Sequence, residues 1–537
     1  MIYSNLLAFI PLLPLFSAII LLFLNLSRFW ISVLAVGSIS SVAMISFFLN
    51  YHFWQQTDFV LIANLGNWIN IKQLNISFGL YLDSLSLVMI TIISGVGALI
   101  HLYSTGFMFE DKSFKRYFTY LNLFVSAMLF LVLADNLLLL YLGWEGVGLC
   151  SYLLIGFWYQ DKNNNLAANK AFLMTRIGDT AMAIGLFLLF THLGTLNIQA
   201  IQVQAHTVWS LSDNTIASIC CLLLLAGAVG KSAQFPLQNW LPDAMAGPTP
   251  VSALIHAATM VTAGIYLIAR NSQLFQLAPD VLYIVALIGT FTLLLGASAA
   301  MVQSDLKRIL AYSTISQLGY MFLALGVGAG ASAVFHLMTH AFFKALLFLS
   351  AGALIYSLHH EHNIFKMGGM RKKLPLAFLC FMVGSAALVA LPLTSGYYSK
   401  HDIMLYAWAM PNIGPWLWGA ALIGALLTAV YTFRLVFVVF FGPVSKDYAD
   451  ATETKGYSLA IPLLMLCLLA LSGGYWTLHL DSVLPASEHP DVNGLVNGLT
   501  NIVPFVGIAI SYLFYGSKHL SVQKIMALPM AAQLHRF

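Results

Sequence analysis

One short segment of this chain places a carboxylate within an apolar run. Glu145 is the only charged residue in the segment Gly143–Tyr152. Four more ionisable residues stand in apolar surroundings further along: Asp179, Lys231, Lys344 and Lys400. A charged side chain inside a bilayer costs several kcal/mol unless it has a partner or a water-filled cavity. A series of buried acids and bases therefore predicts a pathway for protons or cations.

Histidines add groups that titrate near neutral pH. His336 and His340 precede Lys344 at intervals of four residues, which places all three on one face of a helix. His256 is a fourth candidate. Histidines change charge near working pH, so the pattern favours a proton relay. Zinc binding by two histidines four residues apart is the alternative, but no carboxylate or cysteine stands beside them.

Two charges of opposite sign lie three residues apart in another apolar segment. Arg176 and Asp179 would share one helical face and can pair there. A fixed ion pair that sets helix register is the alternative to a role in transport. Asp402 follows Lys400 by two residues and would either pair with it or face an aqueous exit. Asp305 begins a span, and interfacial anchoring is its favoured role.

The elements that must hold these residues are membrane helices. The chain has 537 residues, of which 60% are hydrophobic and 8% charged. Ordinary globular proteins carry roughly a quarter charged residues. Apolar runs recur from end to end, each long enough to span a hydrocarbon core of roughly 30 Å. The fold class is therefore an all-α polytopic membrane protein, whereas a membrane barrel would show short alternating strands.

About fifteen spans fit the usual length of ~20 residues. Their predicted limits are 5–25, 30–50, 80–103, 116–133, 137–158, 166–193, 215–236, 249–270, 280–302, 307–328, 331–357, 374–399, 414–441, 457–478 and 497–516. The first lacks the basic start and small-residue cleavage site of a signal peptide, so it is assigned as a transmembrane helix.

Loop charges predict the orientation of these spans. Cations concentrate in loops after odd-numbered spans, whereas loops after even-numbered spans carry few, chiefly Lys72 and Arg270. The positive-inside rule then places the N-terminus outside.

Two segments indicate broken helices at the seventh and twelfth spans. The first runs from Gly230 to Asp243 and the second from Leu391 to Lys400. Proline removes a helix hydrogen bond, and irregular backbone at membrane depth is tolerated where it lines a cavity or is packed in protein. Interrupted helices in two halves of a chain are typical of inverted repeats around a site near the middle of the membrane.

Cysteine usage gives no sign of a redox centre. The five cysteines all lie in apolar segments, and none has the C-x-x-C spacing of a zinc or iron–sulfur site. They are interpreted as small buried hydrophobic residues.

Several motifs together resemble one family. Trp144–Phe157 is similar to the fifth-helix motif of the subunit L family of NADH:quinone oxidoreductase (complex I), whose mitochondrial counterpart is of the ND-five type. Four more segments resemble the same family: Gly230–Leu237, Leu254–Val261, His340–Leu346 and Gly396–Lys400. The resemblance extends from about residue 1 to about residue 520.

The resemblance implies an architecture with two inverted repeats of five helices. Residues 1–110 would hold helices 1–3, 111–275 the first repeat (helices 4–8), 276–445 the second (helices 9–13), and 446–537 helices 14–15 and a tail. Family members continue with a long lateral helix and a final anchoring span. The stretch from Lys518 would be at most the start of that helix.

The resemblance also implies roles for the buried residues. Glu145 and Lys231 would be the coupled pair of the first half-channel, with Asp179 and Arg176 modulating Glu145. Lys344 and the histidines would form the central connection, and Lys400 the exit-side lysine.

The same resemblance implies the surroundings of the chain. NADH, FMN, iron–sulfur clusters and quinone would belong to partner subunits, and this chain would carry no cofactor. Its partners would be other membrane-arm subunits, chiefly the neighbouring antiporter-like subunit. The membrane would be a bacterial plasma membrane, with an organelle inner membrane as the alternative.

Three functions follow as hypotheses. The first is a proton-translocating subunit of NADH:quinone oxidoreductase. The second is a subunit of an Mrp-type cation/proton antiporter or of an inorganic-carbon uptake complex, since those relatives share the channel residues and often lack the lateral helix. The third is a non-conducting scaffold.

Overall fold

The architecture is taken from a computed structural model that describes residues 2–53, 59–71, 74–209, 214–444, 448, 451–453, 456–485 and 490–516. The tail from Lys518 lies outside these residues, as do the loop lysines Lys72, Lys446 and Lys455. Predictions for them stay predictions.

The described residues form nineteen helices and one hairpin. The first ten helices are α1 (Ile2–Phe23), α2 (Arg28–Phe53), α3 (Ser84–Phe107), α4 (Phe114–Leu133), α5 (Leu137–Ile155), α6 (Lys162–Leu193), α7 (Ile198–Val208), α8 (Thr215–Lys231), α9 (Thr249–Ala257) and α10 (Ala263–Arg270). The others are α11 (Ser272–Gln276), α12 (Pro279–Val302), α13 (Leu306–Gly326), α14 (Gly330–Ser357), α15 (Pro375–Val389), α16 (Ser395–Ala409), α17 (Gly414–Phe441), α18 (Tyr457–Ser472) and α19 (Gly494–Ser511). Strands β1 (Leu61–Ile71) and β2 (Leu74–Leu82) pair antiparallel.

The helical membrane class is confirmed. Thirteen segments of the described chain are long and apolar enough to cross a bilayer, and two shorter apolar helices, α8 and α15, accompany them. Several predicted limits agree closely with the observed helices: α17 spans Gly414–Phe441, and α14 begins one residue before its predicted start. The total of fifteen crossings stays a prediction.

Local chemistry explains where two of the central helices begin. The side chain of Asn136 accepts the backbone N–H of Leu139 at the start of α5. Asp305 accepts the N–H of Arg308 in the same way at the start of α13. Both residues fill helix N-cap positions, where a short polar side chain satisfies an otherwise unpaired backbone donor.

The same two turns carry a matched set of backbone hydrogen bonds. Leu137 N donates to Leu196 O at 2.9 Å, and Leu306 N donates to His362 O at 2.9 Å. A second bond is duplicated as Ile198 N to Asp135 O at 2.9 Å and Ile364 N to Ser304 O at 3.0 Å. The turn before α5 and the turn before α13 thus bind the segment that follows the next helix (α6 and α14, respectively) in the same way.

The first predicted interruption falls where α8 ends at Lys231. The chain continues through short 3-10 turns at Gln238–Trp240 and Asp243–Ala246 before α9 begins. The span predicted over 249–270 is also divided, since α9 ends at Ala257 and α10 starts at Ala263. That division was not expected.

The span predicted over 374–399 consists of two helices. α15 ends at Val389, Ala390 takes a left-handed conformation, and α16 starts at Ser395. Lys400 therefore lies within α16, five residues after its start, rather than at the end of the interrupted helix.

Two elements were missed by the sequence interpretation. The β1–β2 hairpin occupies a segment assigned to a loop and to the start of the third span, although Leu74–Phe78 alternates apolar and polar residues as a strand does. Helix α7 is a surface helix that buries one face through Ile198, Ile201 and Ala205. The apolar face recurs at three- to four-residue intervals, which is the helical signal.

A buried ion pair joins α3 to the end of α10. Arg270 donates Nη1 to Asp83 Oδ2 at 2.5 Å and Nη2 to Asp83 Oδ1 at 2.8 Å. Arg270 also donates to the hydroxyls of Ser86 and Tyr266. The bidentate geometry satisfies both carboxylate oxygens, which is the arrangement that a buried pair requires.

Candidate functional site

The first buried charges form an ion pair between α6 and α8. Lys231 Nζ lies 3.1 Å from Asp179 Oδ2, and both side chains are at most 2% exposed. Trp144 on α5 donates its indole N–H to Asp179 Oδ1 at 2.6 Å. Gly178 permits the close approach of the helices, because a Cβ there would lie 2.6 Å from the carbonyl oxygen of Ala226. The pair is thus buried and hydrogen-bonded.

A second ion pair lies beside the first, nearer the surface of the chain. Arg176 Nη1 lies 2.6 Å from Glu145 Oε1, and the side chains are 42% and 21% exposed, respectively. Tyr141, one helical turn before Glu145, donates its hydroxyl to the same carboxylate oxygen at 2.7 Å. The guanidinium of Arg176 also packs over the ring of Phe172.

These geometries correct two predicted pairings. Glu145 was expected to pair with Lys231, and Arg176 with Asp179. The structure exchanges the partners, so that Arg176 holds Glu145 and Lys231 holds Asp179. Residues three apart on a helix diverge by roughly 60° around its axis. That angle turns Arg176 towards the outer side of α5 and Asp179 towards α8, although both belong to α6.

The second buried lysine is held by α13. Lys344 on α14 donates to the hydroxyl of Ser313 and lies 3.3 Å from the carbonyl oxygen of Leu310. Its side chain is fully buried. Among the described residues, no carboxylate forms a salt bridge with it. Neutral oxygens alone therefore hold this amine in place.

His336 lies two helical turns before Lys344 and links three helices. Its Nδ1 lies 2.9 Å from the Ser399 hydroxyl on α16, and its Nε2 lies 3.2 Å from Gln317 Oε1 on α13. Thr339 joins the same cluster through Ser399 at 2.8 Å. Hydroxyl and imidazole groups in contact can each donate and accept a proton, so this chain of contacts can carry one.

His340 lies between His336 and Lys344. Its ring centre is 6.3 Å from that of His336, and its edge packs against Phe343. The residue is fully buried, and within the described part of the chain neither ring nitrogen makes a hydrogen bond of good geometry, although the backbone of Ala257 lies nearby. Buried polar atoms are nearly always hydrogen-bonded to protein or ordered water, so this site calls for water.

His256 occupies a similar environment near the end of α9. The residue is fully buried, and its ring centre lies 5.1 Å from that of Phe348. Both ring nitrogens lack a hydrogen-bond partner among the residues described. His256 also lies within electrostatic range of Lys344.

Lys400 and Asp402 face different surroundings. Lys400 is 1% exposed, and its Nζ lies 4.6 Å from the ring centre of Tyr320, with no hydrogen-bond partner in the described ranges. Asp402 lines an open cleft of about 410 Å³ together with Asp481 and Trp476. Of the two placements predicted for Asp402, the structure shows the open cleft and not a hydrogen bond with Lys400.

The sequence interpretation missed the uncharged partners of these charges. Trp144, Tyr141, Ser313 and Ser399 each hold an ionisable side chain, and none was singled out. Tyr141 had a signal, since it lies one turn before Glu145. Ser313 and Ser399 had none, because their roles depend on how α13 and α16 pack against α14.

Metal binding at the histidines has little geometric support. Both ring nitrogens of His336 are within hydrogen-bond distance of Ser399 and Gln317. Across the described ranges, no group of three or more histidine, cysteine, aspartate or glutamate side chains is placed to hold a metal ion.

Asp305 has a larger role than interfacial anchoring. Besides capping α13, it lies 3.3 Å from His362 Nδ1. Burial disfavours its charge, but the hydrogen bonds from His362 and from the backbone N–H of Arg308 outweigh that effect and lower the pKa of Asp305 below its usual value. It therefore stays ionised and holds the turn before α13.

Comparison with protein families matches two parts of the chain. Residues 134–428 match the family described as NADH:quinone oxidoreductase/Mrp antiporter, TM. Residues 68–118 match the N-terminal domain of chain 5 of NADH-ubiquinone oxidoreductase (complex I). Together they cover the helices that carry Glu145, Lys231 and Lys344.

Curated relatives include two from well-known bacteria. NADH-quinone oxidoreductase subunit L of Escherichia coli (strain K12) is 49% identical over 523 residues, which are 96% of this chain and 84% of that protein. The subunit L of Pseudomonas aeruginosa is 57% identical over 425 residues, which are 79% of this chain and 68% of that protein.

Two solved structures share the fold. The Mrp complex from Dietzia sp. DQ12-45-1b contains a chain with a TM-score of 0.81 and 25% identity, covering 100% of this chain and 59% of that one. A chain of the membrane-bound sulfane sulfur reductase, an archaeal respiratory membrane complex, has a TM-score of 0.75 and 23% identity, covering 95% of this chain and 99% of that one.

Proposed function

The chain belongs to the subunit L family of NADH-quinone oxidoreductases, and we propose that its buried acids, lysines and histidines carry protons across the membrane. It is an integral membrane subunit. The energy comes from electron transfer in partner subunits. The observation that supports this most strongly is the fully buried Lys231–Asp179 pair beside a series of buried basic groups.

Two repeats organise the pathway in this proposal. Residues 111–275 form the first and 276–445 the second. The matched hydrogen bonds at Leu137 and Leu306 support the assignment, because each repeat would use the same turn to position its second helix. In the predicted topology five crossings separate the two turns, so they would lie on opposite faces, as inverted repeats require.

Partner exchange is the mechanism proposed for the first repeat. Lys231 and Asp179 neutralise each other at 3.1 Å. An ionised side chain left without its partner in a low-dielectric interior is strongly unfavourable, so separating the pair drives a proton on or off. Arg176 shares α6 with Asp179, and Glu145 shares α5 with Trp144, which donates a hydrogen bond to Asp179. A shift of Arg176 or Glu145 would therefore alter the field at Asp179.

The second repeat supplies the continuation. His256, near the end of the first repeat, passes the proton to Lys344 and His340. These carry it to His336, whose contacts with Ser399 and Gln317 link α14 to α13 and α16. Lys400 lies on α16 beyond Ser399. Water molecules bridge the unpartnered nitrogens in this proposal, since buried water typically hydrogen-bonds polar groups that otherwise lack a partner.

The open cleft at Asp402 is proposed as the exit. The carboxylates of Asp402 and Asp481 both line a cleft of about 410 Å³. Asp402 lies two residues after Lys400 on α16. The predicted topology puts this cleft on the outer face, with the N-terminus also outside, in a bacterial plasma membrane.

The Mrp-type antiporter is the second candidate, and the inorganic-carbon uptake complex is related to it. The fold of an Mrp complex chain matches all of this chain at 25% identity. Identity to subunit L of NADH-quinone oxidoreductase is about twice as high, at 49% over 96% of the chain. That difference favours the respiratory function over both antiporter and scaffold.

A neighbouring membrane-arm subunit is proposed to cover the Glu145–Arg176 pair. The two side chains are 21% and 42% exposed on the flank formed by α5 and α6. Intramembrane charges almost always face protein or a water-filled cavity rather than lipid. An antiporter-like subunit fits, because it would exclude lipid from the ion pair. NADH, FMN, iron–sulfur clusters and quinone are assigned to other subunits, and no redox centre to this chain.

Purification with native partners tests the proposal. The tagged chain, extracted in mild detergent, should co-purify with NADH:quinone activity and with other membrane-arm subunits. Reconstituted vesicles should acidify when NADH is supplied. Recovery with small antiporter subunits and without NADH oxidation would contradict the proposal and support the second candidate.

A further inference from the structure

The turn between α4 and α5 carries a carboxylate that the proposed pathway does not use. Asp135 lies outside the membrane-spanning helices, since α4 ends at Leu133 and α5 begins at Leu137. The predicted topology places this turn on the outer face. Asp135 is half-buried, and no lysine, arginine or histidine of the described chain forms a salt bridge with it. Its negative charge is therefore unfavourable where it stands.

Three elements of the structure meet at Asp135. Its backbone N–H donates to Gly79 O on β2 at 3.0 Å. Its carbonyl oxygen accepts Ile198 N at 2.9 Å and Asn197 Nδ2 at 3.2 Å, and these bonds fix the start of α7. The turn before α5 is thus joined to the hairpin on one side and to the surface helix on the other.

The Asp135 carboxylate packs directly on the backbone of the hairpin. A Cβ at Gly79 would lie 1.8 Å from Asp135 Oδ2, so only glycine admits the carboxylate there. Ser77 Oγ donates to Oδ2 at 3.4 Å, and Asn136 Nδ2 donates to Oδ1 at 2.5 Å. Both donors are uncharged. Burial outweighs their hydrogen bonds and raises the pKa of Asp135 above the usual value for an aspartate.

No neighbouring charge within the described residues offsets this effect. The elements packed against Asp135 are β2 and the starts of α5 and α7. The described ionisable side chains within about ten residues of these contacts are Tyr81, Asp83, Tyr141, Glu145, His192 and His206. None of them is a cause of the raised pKa of Asp135. Protonation of this carboxyl therefore follows the outer solution and not a fixed charged partner.

The side chain of Asn136 connects the carboxylate to helix α5. Its Oδ1 caps α5 by accepting Leu139 N at 2.8 Å. Its Nδ2 donates both to Asp135 Oδ1 and to Ser77 O, the latter at 3.0 Å. A change in the charge of Asp135 therefore acts on the residue that caps α5. That helix carries Glu145.

The equivalent turn of the second repeat is built differently. The matched backbone bonds place Ser304 where the first repeat has Asp135, and Asp305 where it has Asn136. In the second turn the acid is the helix cap and lies beside His362, and its pKa is lowered. Of these two turns, only the one on the outer face in the predicted topology holds a carboxyl without a charged partner among the described residues.

We propose that Asp135 is a protonation-dependent positioning residue, which holds the β1–β2 hairpin against the start of α5 in acid and releases it at higher outer pH. When protonated, the carboxyl is neutral and can donate from Oδ2 to Ser77 Oγ. When ionised, it is drawn towards water, and its contact with Gly79 loosens. The effect on α5 rests on the proposed function, because it would let protons on the outer face adjust the helix that carries Glu145.

Amide hydrogen exchange tests the contact without relying on pumping. The assembled complex in lipid nanodiscs would be compared with its Asp135→Asn variant from about pH 5 to about pH 8, with rates corrected for intrinsic exchange. The substituted amide is neutral at every pH. Peptides covering β2 and the turn before α5 should therefore exchange at least about threefold more slowly in Asp135→Asn at the highest pH.

The sign of the pH dependence distinguishes this account from a merely structural role. A raised pKa means that the folded contact is stabilised by protonation, and this stabilisation is lost as the pH rises through the raised value. The difference between the unmodified chain and Asp135→Asn should therefore shrink as the pH falls. Equal protection at every pH would overturn the proposal, as would a difference that grows in acid.

Asp280→Asn is the matched control. Asp280 is an exposed acid in the first turn of α12, also on the outer face in the predicted topology. Its substitution removes the same charge without touching the hairpin, so exchange in β2 and in the turn before α5 should stay as in the unmodified chain. An equal gain of protection in Asp280→Asn would overturn the assignment to Asp135.

Pumping tests the link to α5. In inverted vesicles the outer face is the interior, whose pH is set by the enclosed buffer. At high internal pH the unmodified chain should pump more slowly per NADH oxidised than Asp135→Asn, and in acid the two should coincide. The Asp280→Asn variant should follow the unmodified chain throughout.

The two measurements separate the contact from the proposed function. Selective protection in Asp135→Asn with identical pumping curves would overturn the link to α5. Selective protection without NADH-driven pumping by any sample, the unmodified chain included, would count against the proposed function and leave the contact standing. NADH oxidation by each sample reports assembly.

Discussion

Removing one partner of the Lys231–Asp179 pair should destabilise the protein more than removing both. Lys231→Met leaves the Asp179 carboxylate buried with only the Trp144 indole as a donor, and Asp179→Asn leaves the Lys231 ammonium without a carboxylate. Each change strands a charge that is at most 2% exposed, so solvent screening does not reduce the effect. Breaking a buried pair in this way costs about 3–5 kcal/mol.

The double variant Asp179→Asn/Lys231→Met leaves no stranded charge. It should recover most of the lost stability, because uncharged groups of similar volume can replace a buried pair at little cost. Thermal unfolding of the purified complex in detergent would be compared for the unmodified chain, both single variants and the double variant. The interaction free energy from this cycle should be on the order of 3 kcal/mol or more.

Proton pumping separates stability from function in the same four samples. All three variants should show little NADH-driven acidification, since each lacks at least one member of the Lys231–Asp179 pair, and the double variant should fail to pump although it is stable. Additive stability losses in the cycle would refute the pairing. Pumping at the unmodified rate by Lys231→Met would refute the role of the pair.

Three further predictions follow from the geometry. Glu145→Gln should reduce pumping but lower the unfolding free energy by only about 1 kcal/mol, because its pair with Arg176 is partly exposed; an equal loss to that of Asp179→Asn would contradict this. For Asp83, burial opposes the charge, but Arg270 outweighs it and lowers the pKa of Asp83 below 3.8, so the stabilisation is present above that pH and lost as the pH falls through the lowered value. Asp83→Asn should therefore lower the unfolding temperature at pH 7, and the difference should narrow in acid; a constant difference would argue against the pair. Gly178→Ala should weaken pumping by forcing α6 from α8, since its Cβ would lie 2.6 Å from a carbonyl oxygen, whereas a Cβ at Gly419 meets nothing within 4 Å and Gly419→Ala is the control.

The membrane class and most helix limits could be predicted from the sequence because both depend on local properties. Hydrophobic length sets a span, and residues such as Asp305 and Asn136 mark helix starts by capping them. The hairpin was missed because its second strand runs directly into an apolar helix, where a search for long apolar runs assigns the two strands to a loop and to the start of a span. Lys400 was misplaced relative to the helix break because the turn between α15 and α16 is only five residues long.

The ionisable residues of the site could be selected from the sequence, but their partners could not. Charge inside an apolar segment is a local signal, and it identified Asp179, Lys231 and Lys344. Partner choice depends on the rotation and spacing of separate helices. The close contact at Gly178 brings α8 to Asp179, and packing of α13 on α14 brings Ser313 to Lys344. Neither contact leaves a trace in the spacing of the charged residues.

The central claim is that protons cross through the buried basic groups of this chain during NADH oxidation. The most direct test is the number of protons pumped per NADH oxidised in inverted vesicles from Lys344→Met, measured beside Lys366→Met. Lys366 is a loop residue that is 63% exposed and pairs with Glu361. The account predicts a lower ratio for Lys344→Met and the unmodified ratio for Lys366→Met. An unmodified ratio in Lys344→Met, with NADH oxidation intact, would contradict it.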